Sequence, residues 1–117
     1  MPKTREFDSA SAQLAADVAG YALGHSGADI LSVGRGGAEV AFARQLAMYL
    51  CYVAFGLSLT RVAAAFGRDR STVAHACRLM EDRRDEAQFD LWIAALEATL
   101  RAAPAPGSGR TVSARQR

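Results

Sequence analysis

SLTRVAAAFGRDRSTVAHACRLM, residues 58–80, reads as helix, tight turn, helix. Val62, Ala63 and Phe66 fall at i, i+1 and i+4, so they share one helical face. Ser58 stands where an N-cap is needed. Gly67 ends the helix, because glycine enters the left-handed conformation of a C-cap without a Cβ penalty. Asp69 or Ser71 can cap the second helix by accepting from its first free N–H groups. In that helix Val73, Ala76, Cys77 and Met80 recur at 3–4 residue spacing and face inward. Arg70, Ser71, Thr72, Ala74, His75 and Arg78 are left to face outward. Small Ala63 lets the two helices approach, and Val73 packs into the angle between them. A short second helix with a polar, basic outer face is how a helix-turn-helix presents a recognition helix to a major groove.

The chain on either side is helical in pattern. Upstream, Gly37 to Phe55 carries a broad apolar stripe of Leu46, Leu50, Val53 and Ala54, with Phe42 and Tyr49 nearby, and forms the core helix behind the helix-turn-helix. Ser32–Gly37, SVGRGG, is a glycine-rich loop. It lacks the GxxxxGK pattern followed by Ser or Thr, and no strand precedes it, so nucleotide binding is rejected. Ala28–Leu31 is one short helical turn, and Gly24–Gly27 a break in which His25 is solvated. Ser9 or Ser11 caps a first helix running to about Leu23, with Leu14, Val18, Tyr21 and Ala22 inward. Residues 1–8 are expected to be a flexible lead-in. Downstream, EDRRDE (residues 81–86) reads as a solvated helix end. Phe89, Trp92, Ile93, Leu96 and Leu100 then stripe a last helix from Glu86 to Ala102. Residues 104–117, rich in Pro, Gly and Ser and then basic, cannot bury a core and are expected to be disordered. The expectation is one all-α domain over residues 9–103.

Composition narrows the function. No run reaches the roughly 18 apolar residues of a membrane span, and the polar N-terminus has no signal-peptide pattern. The chain is therefore expected in the cytoplasm, at the nucleoid. Cys51 and Cys77 lie on apolar helical faces without metal-ligand spacing and read as buried small hydrophobes. No nucleophile–base pair, carboxylate pair or metal cluster has useful spacing, so no enzyme, cofactor or metal is expected. The net charge of +2 is unevenly spread: −2 over residues 1–31, +4 over 32–80, −3 over 81–103 and +3 over 104–117. Positive charge thus gathers around the helix-turn-helix and the tail, a modest electrostatic footprint for nucleic acid.

RQLAMYLCYVAFGLSLTRVAAAFGRDRSTVAHACRLMEDRR, Arg44 to Arg84, resembles the C-terminal DNA-binding domain (domain IV) of the bacterial replication initiator DnaA. That family carries a basic loop, an RQxAMYL-type helix and a SLxxIxxxFGGRDHTTVxHACxxI helix-turn-helix, and the weaker flanks extend the likeness from about Ser9 to Arg101. The resemblance implies a Trp-repressor-like all-α fold and double-stranded DNA as partner. It departs in having one glycine in the turn where the family has two, Arg70-Ser71 for His-Thr, a depleted basic loop and no ATPase module. Matching positions in the family make Arg44 and Gln45 phosphate contacts, for which the start of a helix is suited. The Thr60 hydroxyl is a phosphate contact at the start of its helix. Arg70 is the candidate for reading guanine through O6 and N7. Ser71 and Thr72 touch phosphate or a thymine methyl, His75 donates to phosphate or base, and Asp69 either caps its helix or accepts from a cytosine amine. Arg78 is a phosphate clamp, or pairs with Asp82. Arg35 either enters the minor groove, as a loop arginine does in the family, or stays solvated.

Without an ATPase module the expected role is targeting. Stand-alone relatives of this type include regulators related to the activators of gene transfer agent clusters, which implies a transcription regulator. Two alternatives stand beside it: replication control by occupancy of origin boxes, and recruitment of a partner such as RNA polymerase or a second regulator through the Trp92 helix.

Overall fold

The computed structural model describes residues 2–32, 34 and 36–104. Six α-helices follow one another: α1 (Pro2–Leu23), α2 (Gly27–Leu31), α3 (Ala38–Ala54), α4 (Leu59–Phe66), α5 (Arg70–Arg83) and α6 (Ala87–Ala102). No described helix is long and apolar enough to cross a membrane.

Helix α3 is the centre, and each of the other five packs against it. Leu46, Met48, Tyr49 and Leu50 on it are fully enclosed. Burying such side chains is worth roughly 1.5–3 kcal/mol each, which is why one long apolar helix can organise five others. Its most extensive contact is with α1. There the expected face is corrected. Ser11, Ala12, Ala15, Ala16 and Ala19 are buried, whereas Tyr21 is 94 % exposed and Ala22 is exposed. Leu14 and Val18, half-buried, do pack against the core as expected. With the large side chains supplied by α3, the space left for α1 takes small residues, the buried Ser11 hydroxyl being without a hydrogen-bond partner. The start of α1 is corrected too: residues 2–8 belong to the helix. Asp8 is buried there and grips Arg61 of α4 with two bonds, 2.7 and 3.0 Å.

Gly20 and its neighbours reverse the chain. The Gly20 carbonyl accepts from the N–H groups of both Gly24 and His25. A Cβ at Gly20 would collide with the His25 carbonyl. His25, expected to be solvated, is half-buried by this fold-back. Ser26 then caps α2, accepting from the Asp29 N–H at 3.0 Å.

The remaining boundaries follow from local chemistry. Gly37 and Phe55 flank α3, and Ser58 accepts from the Arg61 N–H to cap α4. Glu86 caps α6 through the Phe89 N–H at 3.0 Å. Phe89, Ile93 and Leu100 of α6 are buried, and Trp92 and Leu96 pack against the core. Trp92 also lies 5.7 Å from the Phe89 ring.

The EDRRDE run is exposed as expected except at Arg84, which is half-buried and centres a polar clasp joining α3, α5 and α6. Arg84 bonds Asp90 at 2.6 Å, Glu97 at 2.8 Å and the Tyr49 hydroxyl at 3.1 Å. The Tyr49 hydroxyl donates to Glu81 at 2.6 Å. Burial pulls the Arg84 guanidinium toward deprotonation, but its bonds to Asp90, Tyr49 and Glu97 more than offset this and raise its pKa. Arg83 lies over the rings of Phe89 and Phe42, 4.2 and 5.2 Å from their centroids. The end of α5 is thereby fixed to its neighbours. The expected tail begins at residue 104, and residues 105–117 lie outside the described residues.

Candidate nucleic-acid interface

The interface is built on the α4–turn–α5 unit. Gly67 takes φ +66° and ψ +38°, the left-handed C-cap. Arg68 N–H donates to Ala63 O at 2.9 Å and Gly67 N–H to Ala64 O at 3.3 Å, the paired bonds of a Schellman motif. The chain leaves this turn extended at Asp69 and enters α5 at Arg70. Val62, Ala63, Phe66, Val73, Ala76, Cys77 and Met80 are all buried. Burial pushes the thiols up, Cys51 to about 12 and Cys77 to about 11, so both stay protonated.

With that seam inward, the outer row of α5 is fixed. Arg70, Ser71, Thr72, His75 and Arg78 are all exposed, and Ala74 is half-buried. Among the described residues no ion pair engages Arg70 or Arg78, so the expected alternative pairing of Arg78 with Asp82 does not form. Asp69 occupies the N-cap position, but its side chain makes no capping bond. Its carboxylate is exposed, and the capping bond expected of it is corrected. The first N–H groups of α5 are therefore not satisfied by a side-chain cap, which leaves the positive end of the helix dipole available to an anion. Thr60 is exposed in the first turn of α4.

Two expected contacts look different. Arg44 is not a surface residue: it is only 8 % exposed. Its Nε donates to Ile30 O at 2.7 Å, and its Nη2 to Asp29 O and Ser32 O, both at 3.2 Å. All three carbonyls lie at the end of α2, so Arg44 clamps that helix end against α3. The reading of Arg44 as an outward phosphate contact is corrected on this ground. Burial, then the nearby charge of Arg68, lowers its pKa. Gln45 beside it is half-buried. Arg35 lies outside the described residues.

The sequence reading passed over Arg68, whose Nη2 donates to Ser32 O at 2.9 Å. It also missed the Asp8–Arg61 pair. Residues 53 and 36 positions apart share no periodicity, so no local pattern announces such bonds. The one available signal was an arginine set directly after the C-cap glycine.

The family model described as bacterial dnaA protein helix-turn-helix matches residues 18–79. The chain belongs to that family. It is 39 % identical over 56 residues to chromosomal replication initiator protein DnaA 1 of Chlamydia pneumoniae, which covers 48 % of this chain and 12 % of that protein. It is 44 % identical over 45 residues to chromosomal replication initiator protein DnaA of Tropheryma whipplei strain Twist, covering 38 % of this chain and 9 % of that one. A crystal structure of a DNA replication initiation factor superposes with a TM-score of 0.74 at 28 % identity, over 86 % of this chain and 31 % of the other. The chain thus spans about a tenth of the length of the curated DnaA relatives it matches. What they share with it is the all-helical DnaA domain around the helix-turn-helix.

Proposed function

We propose that this chain binds double-stranded DNA sequence-specifically, with α5 in the major groove, and regulates transcription from the sites it occupies. The observation that carries the reading is the outer row of α5. Arg70, Ser71, Thr72, His75 and Arg78 stand exposed on a helix whose opposite face is fully packed. Arg70, in the first turn, reads guanine through its planar fork; Ser71 and Thr72 contact phosphate or a thymine methyl beside it. His75 lies one turn further on, and Arg78 and Thr60 hold the backbone on either side. Asp69, free of a capping bond, accepts from a cytosine amine, and half-buried Gln45 reaches a phosphate at its edge. The minor-groove role of Arg35 belongs to the same proposal.

The chain's role is targeting rather than chemistry, exercised at the nucleoid. Gene transfer agent or other phage-like genes are the proposed targets, with RNA polymerase or a second regulator recruited there. Replication control is the second reading, favoured by the initiator relatives. The departures at Arg70 and Ser71 favour a distinct target motif and so the transcription reading. Recruitment through the Trp92 helix is the weaker variant, since Trp92 packs on the core and Leu91 is the large exposed residue of α6. Genome-wide occupancy tests this. Sites at promoters with a motif unlike an origin box support transcription, and sites clustered on origin boxes support replication control.

A further inference from the structure

A groove of about 620 Å³ runs between the first turns of α1 and the start of α4, lined by Thr4, Arg5, Asp8, Ser9, Thr60 and Arg61. Phe7 meets Phe55 edge to face, with centroids 6.4 Å apart, and so sets the start of α1 beside the turn that leads into α4. Ala64 and Ala65, one turn beyond Thr60 and Arg61, complete the lining with small side chains that leave the groove open. The Asp8 carboxylate takes hold of Arg61 at Nε and Nη2, 3.0 and 2.7 Å away. The Asp8 side chain is 12 % exposed and that of Arg61 42 %, so the carboxylate sits behind and the guanidinium meets water. Nη1 takes no part in the pair, and the fork is held in one orientation with N–H donors to spare. Arg5, one turn before Asp8 on α1, is exposed, and among the described residues no ion pair engages it. Two guanidiniums against one carboxylate leave the lining positive, and the hydroxyls of Thr4, Ser9 and Thr60 stand with them. Guanidiniums and hydroxyls are the side chains that hold backbone phosphate.

We propose that this groove is a further phosphate site, in which Arg61, held by Asp8, and Arg5 bind the DNA backbone beyond the bases read by α5. The site rests on the DNA-binding reading above. In a helix-turn-helix the first helix crosses the backbone while the second lies in the major groove, and α4 is that first helix. Thr60 belongs to both surfaces, so a strand that touches Thr60 runs on into the groove. Such a contact adds affinity without reading sequence. Fixing the Arg61 fork beforehand lowers the entropy cost of ordering a long side chain on binding.

The test uses the full chain, a duplex selected for binding and an unrelated duplex. Arg5→Gln removes an exposed charge and leaves the core untouched. Asp8→Asn combined with Arg61→Gln removes both members of the pair, so no buried charge is left alone and the net charge is unchanged. Each variant is expected to weaken binding about three- to fivefold on both duplexes alike, and Arg5→Gln to lower the slope of log affinity against log salt by about 0.9. Duplexes carrying a neutral methylphosphonate at single positions flanking the motif then locate the contact. One such position is expected to weaken the wild-type chain by a similar factor and the variants by less than about twofold. Wild-type affinity in both variants overturns the site. A loss that is the same on every methylphosphonate duplex also overturns it, because it describes general charge and not a contact. Where the double variant does not fold, Arg5→Gln decides by the same two criteria. A wild-type chain that binds no duplex overturns the DNA reading and the site with it. Base discrimination lost in Arg70→Ala, with both groove variants binding like wild type, removes the site alone.

Discussion

Replacing Arg84 by methionine keeps most of the side-chain volume and removes the guanidinium from the clasp. Three bonds are lost, but they are not equal. The Asp90 carboxylate is 47 % exposed, so that pair is worth at most about 1 kcal/mol. The Glu97 side chain is only 12 % exposed, and after the substitution it keeps only Arg101 at 3.5 Å. Removing one partner of a fully buried pair costs about 3–5 kcal/mol, and hydrogen bonds to charged groups about 1.5–3 kcal/mol. Because Arg84 itself is 20 % exposed and its own dehydration is recovered, a loss of about 2–3 kcal/mol is expected. For a domain of this size that lowers the melting temperature by roughly 10–20 °C. Urea unfolding followed by Trp92 fluorescence measures it, with the midpoint reduced and the slope unchanged. Combining Arg84→Met with Glu97→Gln should cost less than the two single changes together, by about 1 kcal/mol or more. A single-variant loss below about 0.5 kcal/mol, or strict additivity, would show that the clasp behaves as ordinary exposed ion pairs and refute the reasoning.

Further outcomes follow from other parts of the fold. Ser58→Ala removes the α4 cap and should cost about 1 kcal/mol, read as a reduced urea midpoint. Arg44→Leu removes the donor to Ile30 O, while Asp29 O and Ser32 O keep other donors, and should cost about 1–3 kcal/mol, with the fastest exchange appearing in α2 rather than α5. Burial raises Cys51 to about 12 and Cys77 to about 11 from 9.0, and burial followed by the bond to Glu81 raises Tyr49 to about 12 from 10.0. The unfolded chain releases these protons first, so the stabilisation is intact below about pH 9 and is lost as pH rises towards 12. Thermal unfolding at about pH 8 and about pH 10.5 should show the decline, and a thiol reagent at the lower pH should label neither cysteine until the chain unfolds.

The parts of the fold written in local patterns were legible. Gly67 and Ser58 announce the ends of α4, and the spacing of Val73, Ala76, Cys77 and Met80 fixes the inward face of α5 and hence its outward row. The face of α1 was not legible, because periodicity arguments look for large apolar residues inside, and here α3 supplies them while α1 supplies alanines. Nor were the clasps. Asp8–Arg61, Arg68–Ser32 and Arg84–Tyr49 join elements far apart in the chain, and a charged run such as EDRRDE looks the same whether it is solvated or cross-linked. Arg44 shows the limit of transferring a role by position: the residue is where the resemblance puts it, but its fork is turned inward onto the end of α2.

Selection of duplexes from a randomised library, followed by affinities of wild type and Arg70→Ala for the recovered sequence at about 50 and 200 mM salt, tests the role of α5 most directly. The expected result is a defined motif, with Arg70→Ala losing about 1–3 kcal/mol of discrimination at one position and keeping the rest. Recovery of no motif, with wild type and Arg70→Ala binding every duplex alike and only the salt concentration changing the affinity, would contradict sequence reading by this helix.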